Sequence, residues 1–558
     1  MKAISGRSAF LDILRDEGVS ILFGNPGTTE LPIMDALAAH HDVRYVLGLQ
    51  ENVVMSMADG YARASGRLAA CNVHVAPGLG NALGALYNAK YYGSPVIITA
   101  GQQEQGFMLT EPLLYDSLVD MAAPLVKWAV EIHRLEDLPR ILRRAAKVAL
   151  TPPTGPVFLS LPGDVLNQSA EMSLGTSTTV LTETRPSDAL LERMAERLLA
   201  AAQPALVVGP EVCHEGAFAQ VAAVAEVIGA AVFQQPLPYT AQFSSTHPLY
   251  MGALPRTAQE LRNALEFADL LIAAGADVFR MSVPGAVEPL PDGLPIVHVG
   301  SRDWELGKVY PTELAVHAQV KTTMAALADR LRARQTPQQA QAAEARRKAL
   351  AARNWSSKRE QAMQTALGAA DNAPIDPAWL MMTLAENTPA DGVVVDEGLT
   401  TSRPLLDFLP MEDPRRYFGL ASGGIGWGLP GAVGVKLALP ERPMVCISGD
   451  GSAMYNVQAL WTAAHHKLPI TFVIANNFGY RILKQRLYAY GGDAVAQENM
   501  IGMDFTNPEI NITGLSNALG VPATTITRPQ DVAPALQAAQ AADGPRLLDI
   551  HVYGGYRS

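Results

Sequence analysis

The chain has 558 residues, 48% apolar and 17% charged, which is too long for one core and enough for three or four domains. Its net charge of −11 argues against nucleic acid or an anionic membrane as partner. Cys71, Cys213 and Cys446 lie far apart in or beside apolar runs, without zinc-site or disulfide spacing. Together with an N-terminal stretch that has no signal-peptide core, and no run of eighteen apolar residues, they point to a cytoplasmic protein.

Taken in order, residues 1–180 alternate strand and helix. Strands are expected at Val19–Phe23, Val43–Leu49, Leu68–Val75, Pro95–Ala100 and Val157–Leu161. Helices are expected at Asn52–Ala64 and Leu79–Tyr92, and Thr28 or Thr29 can cap one that runs through Leu37. Residues 163–188 are polar, rich in Ser and Thr, and read as a linker. Residues 189–335 repeat the alternation, with short strands at Ala205–Val208, Ala230–Gln234, Leu270–Ala274 and Ile296–Val299 and a helix at Phe218–Ile228. Arg334–Gln361 reads as an exposed helical connector. Residues 374–558 form a third unit, with strands at Gly392–Asp396, Met444–Ser448, Ile470–Ala475 and Arg546–Val552. The expected fold is α/β, with three doubly wound parallel-sheet domains. Pro77–Gly84 echoes Gly423–Gly431, a hint that the first and third units share a fold.

Gly449-Asp450-Gly451 follows an apolar strand, and Asn476-Asn477 follows the next. Strand ends on one edge of a parallel sheet are where ligands bind. A carboxylate and an amide oxygen there suit a hard cation such as Mg²⁺ or Ca²⁺, and the glycines let backbone N–H groups approach phosphate. Glu51 also follows a strand and opens a helix. Pro77–Gly84 has the spacing G-x-G-x-x-x-G with no acidic residue about twenty positions on, so a dinucleotide site for NAD is disfavoured. His465-His466 lie mid-unit and read as structural.

The GDG…NN pair, with Asp450 and Asn477 27 residues apart, resembles the cofactor signature of thiamine diphosphate enzymes. The resemblance implies that Asp450, Asn477 and the Gly479 carbonyl hold a divalent metal that anchors the diphosphate. Glu51 then hydrogen-bonds the aminopyrimidine and activates the thiazolium carbon, with the cofactor carrying the hard chemistry. Ile425 matches the bulky residue under the bent cofactor, and Thr400 a diphosphate contact. Gly424, Gly449, Gly451, Ser452 and Tyr480 complete the implied cofactor contacts.

Within the acetolactate synthase-like family, the chain most resembles benzoylformate decarboxylases. The matching runs include Phe23-Gly24-Asn25-Pro26-Gly27, Glu30-Leu31-Pro32, Leu49-Gln50-Glu51, Ala58-Asp59-Gly60-Tyr61-Ala62 and Asn81–Leu86. His74 falls on an active-site His, and Thr28 on a Ser that contacts the substrate carboxylate. Where those enzymes carry a second catalytic His, after Val278-Phe279-Arg280-Met281, this chain has Ser282. Leu113 and Leu114 match pocket leucines, but Gly419 and Arg486 stand where phenylalanines are expected, and Ile482 replaces a small residue. The resemblance implies non-oxidative decarboxylation of a benzoylformate-like 2-oxo acid, with carboligation to an aldehyde a second outcome. It also implies a homodimer or homotetramer with active sites between chains. The alternatives are an acetolactate synthase-like carboligase, a 2-hydroxyacyl-CoA lyase, or a cofactor-binding subunit without catalysis. Residues 189–335 carry no glycine pattern diagnostic of FAD.

Overall fold

The computed structural model describes residues 3–281 and 285–557, so Ser282 lies outside the described residues. Three six-stranded sheets, each wholly parallel, follow one another along the chain. The first holds β1 (Ile21–Gly24), β2 (Arg44–Leu47), β3 (Ala69–Val73), β4 (Val96–Gln102), β5 (Trp128–Glu131) and β6 (Val157–Pro162), in the order β2-β1-β3-β4-β6-β5. The central sheet holds β7 (Pro204–Val208), β8 (Ala231–Gln234), β9 (Tyr250–Ala253), β10 (Leu270–Ala274), β11 (Ile296–Gly300) and β12 (Leu314–His317), in the order β9-β8-β7-β10-β11-β12. The last holds β13 (Val393–Glu397), β14 (Tyr417–Gly419), β15 (Met444–Gly449), β16 (Thr471–Asn476), β17 (Ala523–Ile526) and β18 (Arg546–His551), in the order β14-β13-β15-β16-β18-β17.

The first and third sheets therefore have the same strand order, and the central one does not. The shared fold hinted at by the glycine echo is real, but the echoed segments are not equivalent. Pro77–Gly84 lies in α2 (Val75–Tyr92), after the third strand of its sheet. Gly423–Gly431 leads into α3 (Gly428–Ala438), after the second strand. The topological counterpart of α3 is α1 (Glu51–Ser65), and these two helices pack on each other. A Cβ at Gly60 would lie 2.3 Å from the Gly431 carbonyl oxygen, and one at Gly434 2.0 Å from that of Met57. Backbone-to-backbone packing at that crossing requires glycine on both helices.

Central strands such as β3, β4 and β6 are buried along their whole length, so they read in sequence as continuous apolar runs. Within the three large sheets, the strands that sequence reasoning missed are β5, β9, β12, β14 and β17, and every one is an edge strand. Two further expectations are corrected. The stretch expected to be a linker contains a helix, Gly163–Asn167, and a strand, Ser169–Ala170, which pairs antiparallel with Ile4–Ser5. The expected connector folds into Pro337–Ala351 and Trp355–Leu367, burying Ala343, Leu350 and Trp355. Arg346 and Arg347 there donate to the Ile228 and Glu226 carbonyls, capping the end of helix Phe218–Ile228. No helix among the described residues is long and apolar enough to cross a membrane.

Candidate active site

The candidate residues collect at the carboxyl ends of strands in the first and third sheets, where a parallel sheet presents ligand sites. In the first sheet, Glu51 opens α1 just beyond β2, and His74 precedes α2 just beyond β3. Asn81, two turns into α2, donates to Glu51 Oε2 at 3.0 Å.

His74 is governed by a residue to which the sequence reading gave no role. Glu30 is fully buried, and its carboxylate accepts from four groups. Oε2 takes the Gly27 N–H at 2.9 Å and His74 Nδ1 at 2.8 Å; Oε1 takes Thr29 Oγ1 at 2.8 Å and the Gly101 N–H at 2.9 Å. A carboxylate only accepts, so His74 Nδ1 carries the proton. Nε2 is left with no hydrogen-bond partner among the described residues. Side chains at Gly27 or Gly101 would collide with this assembly, 2.0 Å from His74 Nδ1 and 2.2 Å from Glu30 Oε1. Thr29, not Thr28, belongs to this network. Thr28 is exposed, and its hydroxyl makes no hydrogen bond with a described residue.

In the third sheet, Gly449 ends β15, and Asp450, Gly451 and Ser452 form the short helix beyond it. Asp450 Oδ2 accepts the Gly479 N–H at 3.0 Å. Loss of water pushes the Asp450 carboxyl up to about 6, against the pull of N–H donors at Gly451, Gly479 and Phe478. The Asn477 side chain makes no hydrogen bond with a described residue. A desolvated carboxylate, an uncommitted amide oxygen and the Gly479 carbonyl make a hard oxygen set that fits Mg²⁺ or Ca²⁺. No three His, Cys, Asp or Glu side chains gather among the described residues to hold a metal, and this set includes only one such side chain, Asp450. Tyr480 stacks edge-on against Phe505, with ring centroids 4.7 Å apart.

Ile425 sits on a turn between Gly423 and Gly426, both with positive φ. A second residue without an assigned role fixes this turn. Glu397, buried at the end of β13, accepts the N–H groups of Gly426 and Gly428 at 2.6 Å and of Trp427 at 3.3 Å. Burial pushes Glu397 up to about 7, against those donors. Gly424 is tied across to α2, where Asn88 Nδ2 donates to its carbonyl at 2.8 Å. Thr400 is buried in the short helix Leu399–Ser402.

Four of the nine described non-glycine residues with positive φ lie at or beside candidate positions. Val75, Leu114, Leu399 and Phe478 hold φ between +46° and +74°, a region that non-glycine residues avoid. Each is itself a candidate or adjoins one: His74, Leu114, Thr400 and Asn477 with Gly479. The pocket candidates are not gathered in one place. Leu113 is 85% exposed, whereas Ile482 lines a cavity of about 460 Å³ between the central and third sheets. Arg486 is exposed on α4 (Arg481–Tyr490). No hydrogen bond or ion pair among the described residues joins Glu51 or His74 to Asp450, Asn477 or Gly479.

Residues 4–113, 191–327 and 400–550 match, in turn, the N-terminal TPP-binding, central and C-terminal TPP-binding domains of thiamine pyrophosphate enzymes. A benzoylformate decarboxylase of Pseudomonas aeruginosa is 34% identical over 97% of this chain and 98% of its own. The chain belongs to the thiamine pyrophosphate enzymes. The large subunit of acetolactate synthase isozyme 2 of Escherichia coli is 28% identical over 98% of this chain and 96% of its own. Among solved structures, a thiamine diphosphate-dependent 4-hydroxybenzoylformate decarboxylase of Rhodococcus jostii RHA1 superposes with a TM-score of 0.86, at 32% identity and full coverage of both chains. As a member of this family, the chain carries the family's two thiamine-binding domains on the sheets that hold the strand-end residues described above.

Proposed function

We propose that the protein is a thiamine diphosphate-dependent, metal-dependent decarboxylase of a 2-oxo acid, with a benzoylformate-like substrate. The observation that carries this reading is His74 held on the buried Glu30 carboxylate, at the same carboxyl edge of the sheet as Glu51 with only β1 between their strands. When bound, thiamine diphosphate would supply the nucleophile for the 2-oxo carbonyl and the electron sink for loss of CO₂. Asp450, Asn477 and the Gly479 carbonyl would hold the metal, and Thr400, Gly449, Gly451, Ser452 and Tyr480 would border the diphosphate. Glu51 would exchange a proton with the pyrimidine ring, and Ile425, fixed by Glu397, would set the bend. His74 would present Nε2 to the substrate carboxylate or to the proton that replaces CO₂. The cytoplasm is the proposed location.

Carboligation is the second reading. It rests on Ser282, which stands where the decarboxylases have a second histidine, and on the similarity to acetolactate synthases. A panel of 2-oxo acids, each with and without an acceptor aldehyde, separates the two by product. Glu51→Gln is expected to lower turnover by about 10² or more while the circular dichroism stays native. Full activity in that variant would sink the assignment.

A further inference from the structure

The 460 Å³ cavity is lined by Leu399, Ser402, Ser422, Gly423 and Ile482 beside the proposed cofactor site, and by Arg256 from the loop after β9. Two more arginines stand nearby. Arg486 follows Ile482 by four residues on α4 and so shares its helix face. Arg403 closes the helix Leu399–Ser402, which packs on α4.

None of Arg256, Arg403 and Arg486 makes a hydrogen bond or an ion pair with a described residue. The acidic groups around them are engaged elsewhere. Asp396 accepts the Gly398 N–H and the Tyr417 hydroxyl, both at 2.8 Å. Asp277 is held by Arg302 at 2.7 Å and Arg280 at 3.2 Å, and Glu305 by Arg280. Arg481 turns away to the Gly555 carbonyl. Loss of water lowers the pKa of Arg403, and the charges of Arg256, Arg486 and Arg481 lower it further. Arg256 is lowered by loss of water and by Arg486, against the pull of Tyr417 and Asp396. All three are exposed and only Arg256 lines the cavity itself; cations that repel one another beside a cavity gain most from an anion placed between them. In a chain of net charge −11, this is not part of a generally basic surface.

We propose that Arg256, Arg403 and Arg486 bind a second anionic group, carboxylate or phosphate, carried by the substrate at its end remote from the 2-oxo acid. The placement of this site rests on the reading of the third sheet as the cofactor site.

The test is calorimetric and uses non-reacting probes on the cofactor-loaded protein: benzoate against terephthalate and 4-phosphonobenzoate, and butyrate against glutarate. At least one two-ended probe is expected to bind about ten-fold or more tightly than its one-ended partner. The better of terephthalate and 4-phosphonobenzoate identifies the anion. The double variant Arg256→Gln/Arg403→Gln, and separately Arg486→Gln, are expected to lose that advantage, with circular dichroism confirming the fold. Equal affinities within both probe families overturn the proposal. So does an advantage that survives in all the variants, and so does a loss of oligomer mass in the variants with no change in probe preference, which would assign the arginines to a subunit contact. Binding is read without turnover. If benzoylformate is not decarboxylated but the two-ended probe still wins, the proposed reaction fails and the anion site stands.

Discussion

Glu30 concentrates more structure on one side chain than any residue singled out from sequence. Four donors converge on a fully buried carboxylate, and one of them fixes the tautomer of His74. An amide in its place offers one accepting oxygen and a hydrogen-bearing nitrogen, so two of the four donors lose their acceptor. Glu30→Gln is expected to cost about 3 kcal/mol of stability in urea unfolding. It is also expected to lower kcat about 10²-fold, with a changed pH–rate profile, because Nδ1 of His74 is no longer held protonated. A loss of stability with unchanged kcat and profile would mean that His74 is structural. Glu30 was visible in sequence only as part of the matching run Glu30-Leu31-Pro32, because its partners at 27, 74 and 101 come from three separate segments.

At the scale of elements, each turn that carries a candidate residue is held by something outside it. The Ile425 turn hangs on Glu397, 28 residues earlier, and on Asn88 of α2. The Glu397 carboxyl is raised from 4.5 to about 7, so the folded state keeps a proton that the unfolded chain gives up sooner. Its contribution to stability is complete below pH 4.5 and is lost as the pH rises through about 7. Between those limits the cofactor-free wild type is expected to lose up to about 3 kcal/mol relative to Glu397→Gln, measured by urea unfolding at a series of pH values. Parallel pH curves for the two proteins would contradict this. Edge strands were the elements that sequence concealed. β5 and β17 are largely half-buried or exposed, and β12 alternates buried with exposed, so none shows the continuous apolar run of a central strand.

At the scale of the whole molecule, Arg63 joins the three sheets' domains. It lies in α1 beside Asp59, donates to the carbonyls of Tyr239 at 3.1 Å and Gly419 at 2.8 Å, and sits 4.2 Å from the ring centroids of both Tyr92 and Trp427. Arg63→Met is expected to cost about 3 to 5 kcal/mol, since Asp59 is then buried without its cation. Calorimetry is expected to show separate domain transitions in place of a joint one; an unchanged trace would place the docking elsewhere. Phe107, Leu109 and Leu113 are exposed together near the end of β4, a surface consistent with the proposed assembly of two or more chains. The sequence by itself determined the three parallel-sheet units, the family and the strand-end acids, because buried strands and cofactor turns are local patterns of a few residue types. Only the tertiary structure decided which groups orient those acids, how α1 meets α3, and that Arg256 lines a cavity with Arg403 and Arg486 near it. Those depend on contacts between segments tens to hundreds of residues apart, and no local pattern encodes them.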